Sequence, residues 1–168
     1  MKILGIDPGT ITMGYGIIDC DGEMLTMIDY GAIHVTERSP IGERLHLLHS
    51  HLLSVMAEYQ PEVVAVEQPF VAKNVRTALA IGRAQAIAIL AAASSHLPIY
   101  EYSPAQVKQR VASSGVSGKE QVQQMVRLLL NLTTIPEPND AADALAVAIC
   151  HAQEMHINGL LAAEGGRP

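Results

Sequence analysis

Lys2-Ile3-Leu4-Gly5-Ile6-Asp7 is an apolar run that ends on a carboxylate. Pro8-Gly9 follows as turn chemistry, so the run predicts a buried strand with Asp7 at its end. An acid placed there is costly unless something pairs with it. The pattern recurs in Val63-Val64-Ala65-Val66-Glu67, and an acidic pair stands in Asn139-Asp140-Ala141-Ala142-Asp143-Ala144-Leu145. The repetition suggests one shared partner. A divalent metal suits four carboxylates, as in two-metal phosphodiester chemistry.

Outward from Asp7, Met13 to Cys20 reads as a second strand after the turn Asp7-Pro8-Gly9-Thr10. Cys20-Asp21-Gly22-Glu23 signals a hairpin, because Asp-Gly tolerates positive φ, and Met24 to about Val35 returns as a third strand. Ser39 reads as a helix cap with Pro40 at the first position. Ile41, Leu45, Leu48, Leu52, Val55 and Tyr59 recur at helical spacing, and Pro61 stops that helix before strand four. An alanine-rich helix from about Val75 to Ser95 has small residues suited to close packing against the sheet or a second subunit. Leu97 to Tyr102 reads as strand five. It ends at Ser103-Pro104-Ala105-Gln106, a capping-box start for a short helix with Lys108 and Arg110. Ser117-Gly118-Lys119-Glu120 reads as a second capping box, for a helix to about Leu132. Pro136 and Pro138 mark a loop before a last helix near Asn139.

The order β-β-β-α-β-α-β-α-α-α predicts an α/β fold. Its mixed sheet has three antiparallel strands, then parallel ones, with helices on both faces. Crossover connections put strand four beside strand one, so Asp7 and Glu67 fall at neighbouring strand ends. We expect one domain over residues 1–156 and a flexible tail over 157–168, where Gly159, Gly165-Gly166 and Pro168 loosen the chain.

With 168 residues and a hydrophobic fraction of 49%, the chain has material for one sizeable core and does not read as disordered. No apolar run reaches the ~18 residues of a membrane span, and Ala84 to Ala93 is short and preceded by Arg83, so no membrane role is expected. The N-terminus enters a strand at once, without an h-region or cleavage site. Cys20 and Cys150 lack metal-ligand spacing and read as reduced thiols of a cytoplasmic protein. A formal charge of −6 argues against a nucleic-acid partner until its distribution is read. Residues 1–72 carry −7 and 128–168 carry −4, but 73–127 carry +5, from Lys73, Arg76, Arg83, Lys108, Arg110, Lys119 and Arg127 against Glu101 and Glu120. Those bases either form a phosphate-binding field or scatter over solvated helix faces.

Asp140 and Asp143 are three residues apart and share a helix face. They sit in a first turn, where the helix dipole favours acids. Alone they read equally as ordinary first-turn acids; with Asp7 and Glu67 at strand ends, the metal reading outweighs that one. The ordered stretches now carry a resemblance. They are Gly5-Ile6-Asp7-Pro8-Gly9; Val66-Glu67-Gln68-Pro69-Phe70 with Lys73-Asn74; Tyr102-Ser103-Pro104 with Val107-Lys108-Gln109; Lys119-Glu120-Gln121-Val122-Gln123; and Asp140-Ala141-Ala142-Asp143-Ala144-Leu145. Spread over residues 3 to 151, the set resembles the RuvC family of bacterial Holliday-junction endonucleases, in the ribonuclease H-like superfamily.

The resemblance implies a ribonuclease H-like five-stranded mixed sheet flanked by helices, a homodimer, and Asp7, Glu67, Asp140 and Asp143 as metal-binding catalytic residues. It also implies a branch-migration partner of the RuvA–RuvB type. The chain departs from the family at Gly82-Arg83-Ala84-Gln85-Ala86, where Gly-Gln-Ala-Arg-Gly is frequent, and at Ser113, where a glycine is usual. Both departures bear on loop conformation and DNA contacts rather than on the carboxylates.

The expected reaction is resolution of four-way junction DNA by paired symmetric nicks that leave 5′-phosphate and 3′-hydroxyl ends. Two Mg²⁺ ions about 4 Å apart, with Mn²⁺ able to substitute, would be bridged by Asp7, one activating a water and one stabilising the departing oxygen. Lys119, at a helix N-terminus, and Lys108 are expected at the active-site edge as phosphate partners; each alone reads as a solvated lysine, and the resemblance moves both. Phe70, the sole Phe, is read as a base-stacking wedge rather than core, with Lys73, Asn74 and Arg76 on the DNA backbone. His46, His49 and His51 read as the wet side of the first helix rather than as metal ligands. Gly118-Lys119 is not a Walker A loop, since Ser113 takes the first glycine position and Glu120 replaces Ser/Thr.

Rival readings remain. Gly5-Ile6-Asp7-Pro8-Gly9-Thr10 matches a phosphate loop of actin-like sugar and acetate kinases, which need two such domains; this chain is too short for that. An exonuclease of the same superfold wants Asp-x-Glu on strand one, where Gly9 stands. A ribonuclease H acting on RNA–DNA hybrids is the nearest chemical alternative, and a non-catalytic junction-binding module is the other.

Overall fold

The computed structural model describes residues 1–68, 75–113 and 118–165, with side chains described as far as Leu161. The chain runs β1 (Lys2–Asp7), β2 (Thr12–Asp21), β3 (Met24–His34), α1 (Ile41–Tyr59), β4 (Val63–Glu67), α2 (Val75–Ser94), β5 (Ile99–Tyr102), α3 (Pro104–Ala112), α4 (Lys119–Leu129) and α5 (Asn139–Gly165). One five-stranded sheet has the order β3-β2-β1-β4-β5. The β1–β2 and β2–β3 pairs are antiparallel, and β1–β4 and β4–β5 are parallel. Gly22, at φ +62°, turns the β2–β3 hairpin.

The sheet is covered on both faces, which is why β1 and β4 read as unbroken apolar runs rather than as alternating ones. Leu4, Ile6, Val64 and Val66 pack with Leu48, Leu52 and Met56 of α1 and with Ala84, Ala88, Ala91 and Ala92 of α2. On the other face Ile3, Val63 and Ala65 meet Val107 and Val111 of α3, Val122 and Val126 of α4, and Leu145 and Ile149 of α5. Here α5 rides on the sheet almost backbone to backbone. A Cβ added at Gly14 of β2 would lie 1.9 Å from the Asp140 carbonyl oxygen, and one at Gly5 of β1 would lie 2.1 Å from that of Ala144. Glycine below and alanine above let the helix sit that close.

The structure differs from the sequence reading in four places. Helix α1 starts at Ile41 with Pro40 at its N-cap and no side-chain cap, so Ser39 is not the cap. Pro40 holds the N-cap itself, in extended backbone at φ −51° and ψ 146°. Helix α4 is capped by Gly118, which has no side chain to accept a bond. Residues 157–165 continue α5 as helix where a loose tail was expected. A lone Gly159 costs a helix only about 1 kcal/mol, and no proline interrupts before Pro168. Finally, α2 is long and apolar enough to cross a membrane by length and composition. Its buried alanines pack one face of it onto α1 and the sheet.

Candidate active site

Register assembles the first half of the site. Ile6 of β1 lies beside Val66 of β4 in parallel pairing, so the next residues, Asp7 and Glu67, leave the sheet together. The glycine–alanine seam supplies the second half, since Gly14, the partner of Asp7 across β1–β2, lies directly under Asp140. One helical turn on, Asp143 projects into a cavity of about 170 Å³ lined by Glu67, Val107, Lys108, Lys119, Val122 and Ala146.

The electrostatics show how tightly these groups crowd. Burial pushes the Asp7 carboxyl up, and the charges of Glu67, Asp143 and Asp140 push it further, to about 8. Asp7 therefore holds a proton near neutrality, and its carboxyl O–H donates a hydrogen bond to Glu67. Burial also raises Glu67; the Asp7 hydrogen bond opposes this, while Asp143 adds to it. Lys119 Nζ donates to Asp143 Oδ2 at 2.6 Å. Burial pulls Lys119 down, but that bond and the charges of Asp143, Asp7 and Asp140 leave it above its ordinary value. Lys108 faces Glu67 from α3.

The four sequence-predicted carboxylates and both lysines thus meet at one end of the sheet. As the side chains stand, no three His, Cys, Asp or Glu groups among the described residues converge on a point that would hold an ion. A shared proton and an ammonium offset the negative charge instead. The donor set itself, carboxylate oxygens without thiol or imidazole, fits a hard divalent cation.

Phe70, Lys73 and Asn74 lie outside the described residues; Arg76 is exposed in the first turn of α2. His46 and His51 are exposed on α1, the latter bonded to the Leu47 carbonyl at 2.8 Å, while His49 is half-buried with an unpartnered Nε2. A larger cavity of about 510 Å³, with Cys20, Leu25, Arg110, Leu129 and His156 on its walls, contains none of the four carboxylates.

Sequence reasoning missed three supports. Gly14 and Gly16 allow the α5 contact, and their signal was two glycines alternating inside a strand. Arg44 Nη1 of α1 donates to the Thr10 carbonyl at 3.4 Å, bracing the turn after Asp7. Tyr102 and His151 form a buried polar pair, signalled by one imidazole at the end of the apolar stretch Ala144 to Cys150.

Comparison with known proteins gives this geometry a context. The family profile described as crossover junction endodeoxyribonuclease RuvC matches residues 3–151. A crossover junction endodeoxyribonuclease RuvC of Dehalococcoides mccartyi is 58% identical over 151 residues, 90% of this chain and 90% of that one. The Thermus thermophilus RuvC structure superposes with a TM-score of 0.87 at 34% identity, covering 94% of this chain and 97% of that one. The same protein in complex with a Holliday junction substrate gives 0.85 at 34% identity, covering 94% and 96%. On both sequence and structure, the chain belongs to the RuvC family of crossover junction endodeoxyribonucleases.

Proposed function

We propose that Asp7, Glu67, Asp140 and Asp143 are the catalytic set of a Holliday-junction nuclease and that they hold two Mg²⁺ ions, replaceable by Mn²⁺. The activity is that of the family, and four-way junction DNA is the substrate bound in the Thermus thermophilus complex. One observation supports the residue assignment above others: Asp7, Glu67, Asp140 and Asp143 meet at one end of the sheet, where burial and then the charges of the other three push the Asp7 carboxyl up to about 8. Acids crowded to that degree favour a divalent partner over water. When bound, such cations activate a water and stabilise the departing 3′ oxygen, which gives 5′-phosphate and 3′-hydroxyl ends.

The remaining roles fall to the chain. Lys119, released from Asp143, and Lys108 face the scissile phosphate and offset its charge. Phe70 stacks on exposed bases at the crossover while Lys73, Asn74 and Arg76 hold the backbone on the approach to α2. A homodimer places two such sites on opposed strands, so paired nicks resolve the junction symmetrically. The exposed Val75, Leu79 and Leu90 of α2 support that helix as the apolar contact. A branch-migration complex of the RuvA–RuvB type is the proposed partner in the cell.

The test incubates the protein with a synthetic four-way junction, a matched linear duplex and an RNA–DNA hybrid, with Mg²⁺ or chelator. Metal-dependent paired nicks in the junction alone are expected. Asp7→Asn is expected to bind the junction with wild-type affinity and to cut it at least 1,000-fold more slowly, on the order of one lost metal-site carboxylate. Preferential cutting of the hybrid would transfer the chain to ribonuclease H chemistry.

A further inference from the structure

Tyr102, the last residue of β5, makes two contacts that lead to separate parts of the site, and the residue after it makes a third. Its carbonyl accepts the Gln68 N–H at 2.8 Å. That bond fixes the chain immediately after Glu67, the register partner of Tyr102 on β4. Its hydroxyl shares a 2.7 Å hydrogen bond with His151 Nδ1 on α5. His151 stands about three turns from Asp140, on the same stripe of that helix. The next residue, Ser103, caps α3: Gln106 N–H donates to Ser103 Oγ at 3.3 Å and Ser103 N–H to Gln106 Oε1 at 2.9 Å. Helix α3 carries Lys108 into the cavity.

Tyr102 is 7% exposed and His151 1%, inside a cluster otherwise made of Val107, Val111, Ala146, Val147 and similar residues. Two apolar side chains would supply the same cohesion without a polar group to satisfy. Apolar contact is also non-directional and tolerates sliding, whereas a buried hydrogen bond sets one distance and one orientation. The seam along β1 and β2 fixes how closely α5 approaches the sheet. The Tyr102–His151 bond is a polar tie between α5 and β5, the edge strand paired with β4 at Glu67.

We infer that Tyr102 is a positioning residue for junction cleavage: its carbonyl and its bond to His151 set the separation of Glu67 from the Asp140–Asp143 pair. This rests on the carboxylate assignment proposed above. The side chain touches neither substrate nor metal; it acts through the elements it joins.

The experiment compares the full-length wild type, Tyr102→Phe, and the double variant Tyr102→Phe/His151→Leu. The double variant leaves no polar group orphaned, so it stays folded even where the single one is unstable. Three quantities are read: Mn²⁺ affinity of the DNA-free protein by electron paramagnetic resonance, single-turnover nicking at saturating junction, and junction affinity in chelator. Both variants are expected to nick about 10- to 100-fold more slowly and to bind Mn²⁺ about tenfold more weakly, the scale of a displacement of about 1 Å caused by a remote mutation. Junction affinity in chelator stays at the wild-type level. The double variant regains thermal stability relative to Tyr102→Phe without regaining rate. Wild-type rate and Mn²⁺ affinity in Tyr102→Phe overturn the inference, as does a double variant whose rate recovers together with its melting temperature. A wild type that fails to nick overturns the parent assignment instead, and the Mn²⁺ affinities still test the positioning role.

Discussion

Asp7 carries the clearest single-residue consequence. Its carboxyl titrates at 3.8 in an unfolded chain and at about 8 here. The folded state therefore binds more protons between those values, and metal-free stability falls as pH rises through that window. Melting curves in chelator from pH 5 to 9 are expected to show this decline, and Asp7→Asn to flatten it. At pH 8 Asp7→Asn is expected to be the more stable protein by about 1–3 kcal/mol, the scale of an unmet buried charge. Mg²⁺ reverses the trend in the wild type only, with a larger gain in melting temperature at pH 8 than at pH 6, because the deprotonated set is the ligand. Lys119 differs. Its ion pair with Asp143 is exposed on the lysine side, so Lys119→Met changes stability by less than about 1 kcal/mol. Nicking by that variant falls tenfold or more at saturating Mg²⁺, on the order of a lost charge stabiliser. Asp7 and Glu67 were legible in the sequence because a carboxylate ending a buried strand is expensive wherever it occurs, whereas Asp140 and Asp143 read as ordinary first-turn acids until set beside them. Tyr102 and His151 were not, since each is ordinary alone and only the fold brings residues so far apart in sequence into contact.

At the scale of elements, glycine positions separate packing from propensity. Gly14→Ala drives a methyl into the Asp140 carbonyl. It is expected to cost about 3 kcal/mol or more as overpacking, with loss of nicking because the first turn of α5 must move. Gly42→Ala, where an added methyl meets nothing within 4 Å, is expected to stabilise α1 by about 0.5 kcal/mol. Urea melts of the two variants read both signs. The strands and the α3 capping box were legible because turn residues and Ser-x-x-Gln act within a few positions. The caps of α1 and α4 were not. Pro40 holds the N-cap of α1 in place of Ser39, an extended position that either residue can take, and Gly118 holds a place that the hydroxyl pattern assigned to Ser117, which lies outside the described residues. The length of α5 was misread because glycine weakens a helix without ending it.

For the whole molecule, sheet order followed from the crossover rule once strands one and four were found, and with it the meeting of Asp7 and Glu67. The approach of α5 did not follow, since it depends on Gly5, Gly14 and Gly16 lying under particular turns of a helix more than a hundred residues later. Assembly is expected at twice the chain mass in sedimentation. Leu79→Glu, on the exposed side of α2, is expected to give a monomer that nicks junction strands singly instead of in pairs; an unchanged dimer would move the contact elsewhere. The seam between α5 and the sheet has one more consequence. Where Gly5 and Gly14 meet α5, backbone lies against backbone with no side chain between them to compress. Hydrostatic pressure is therefore expected to act first on the open cavities, the one of about 510 Å³ near Cys20 and His156 before the smaller one beside Glu67 and Asp143, and to leave the spacing of Asp7 from Asp140 nearly unchanged.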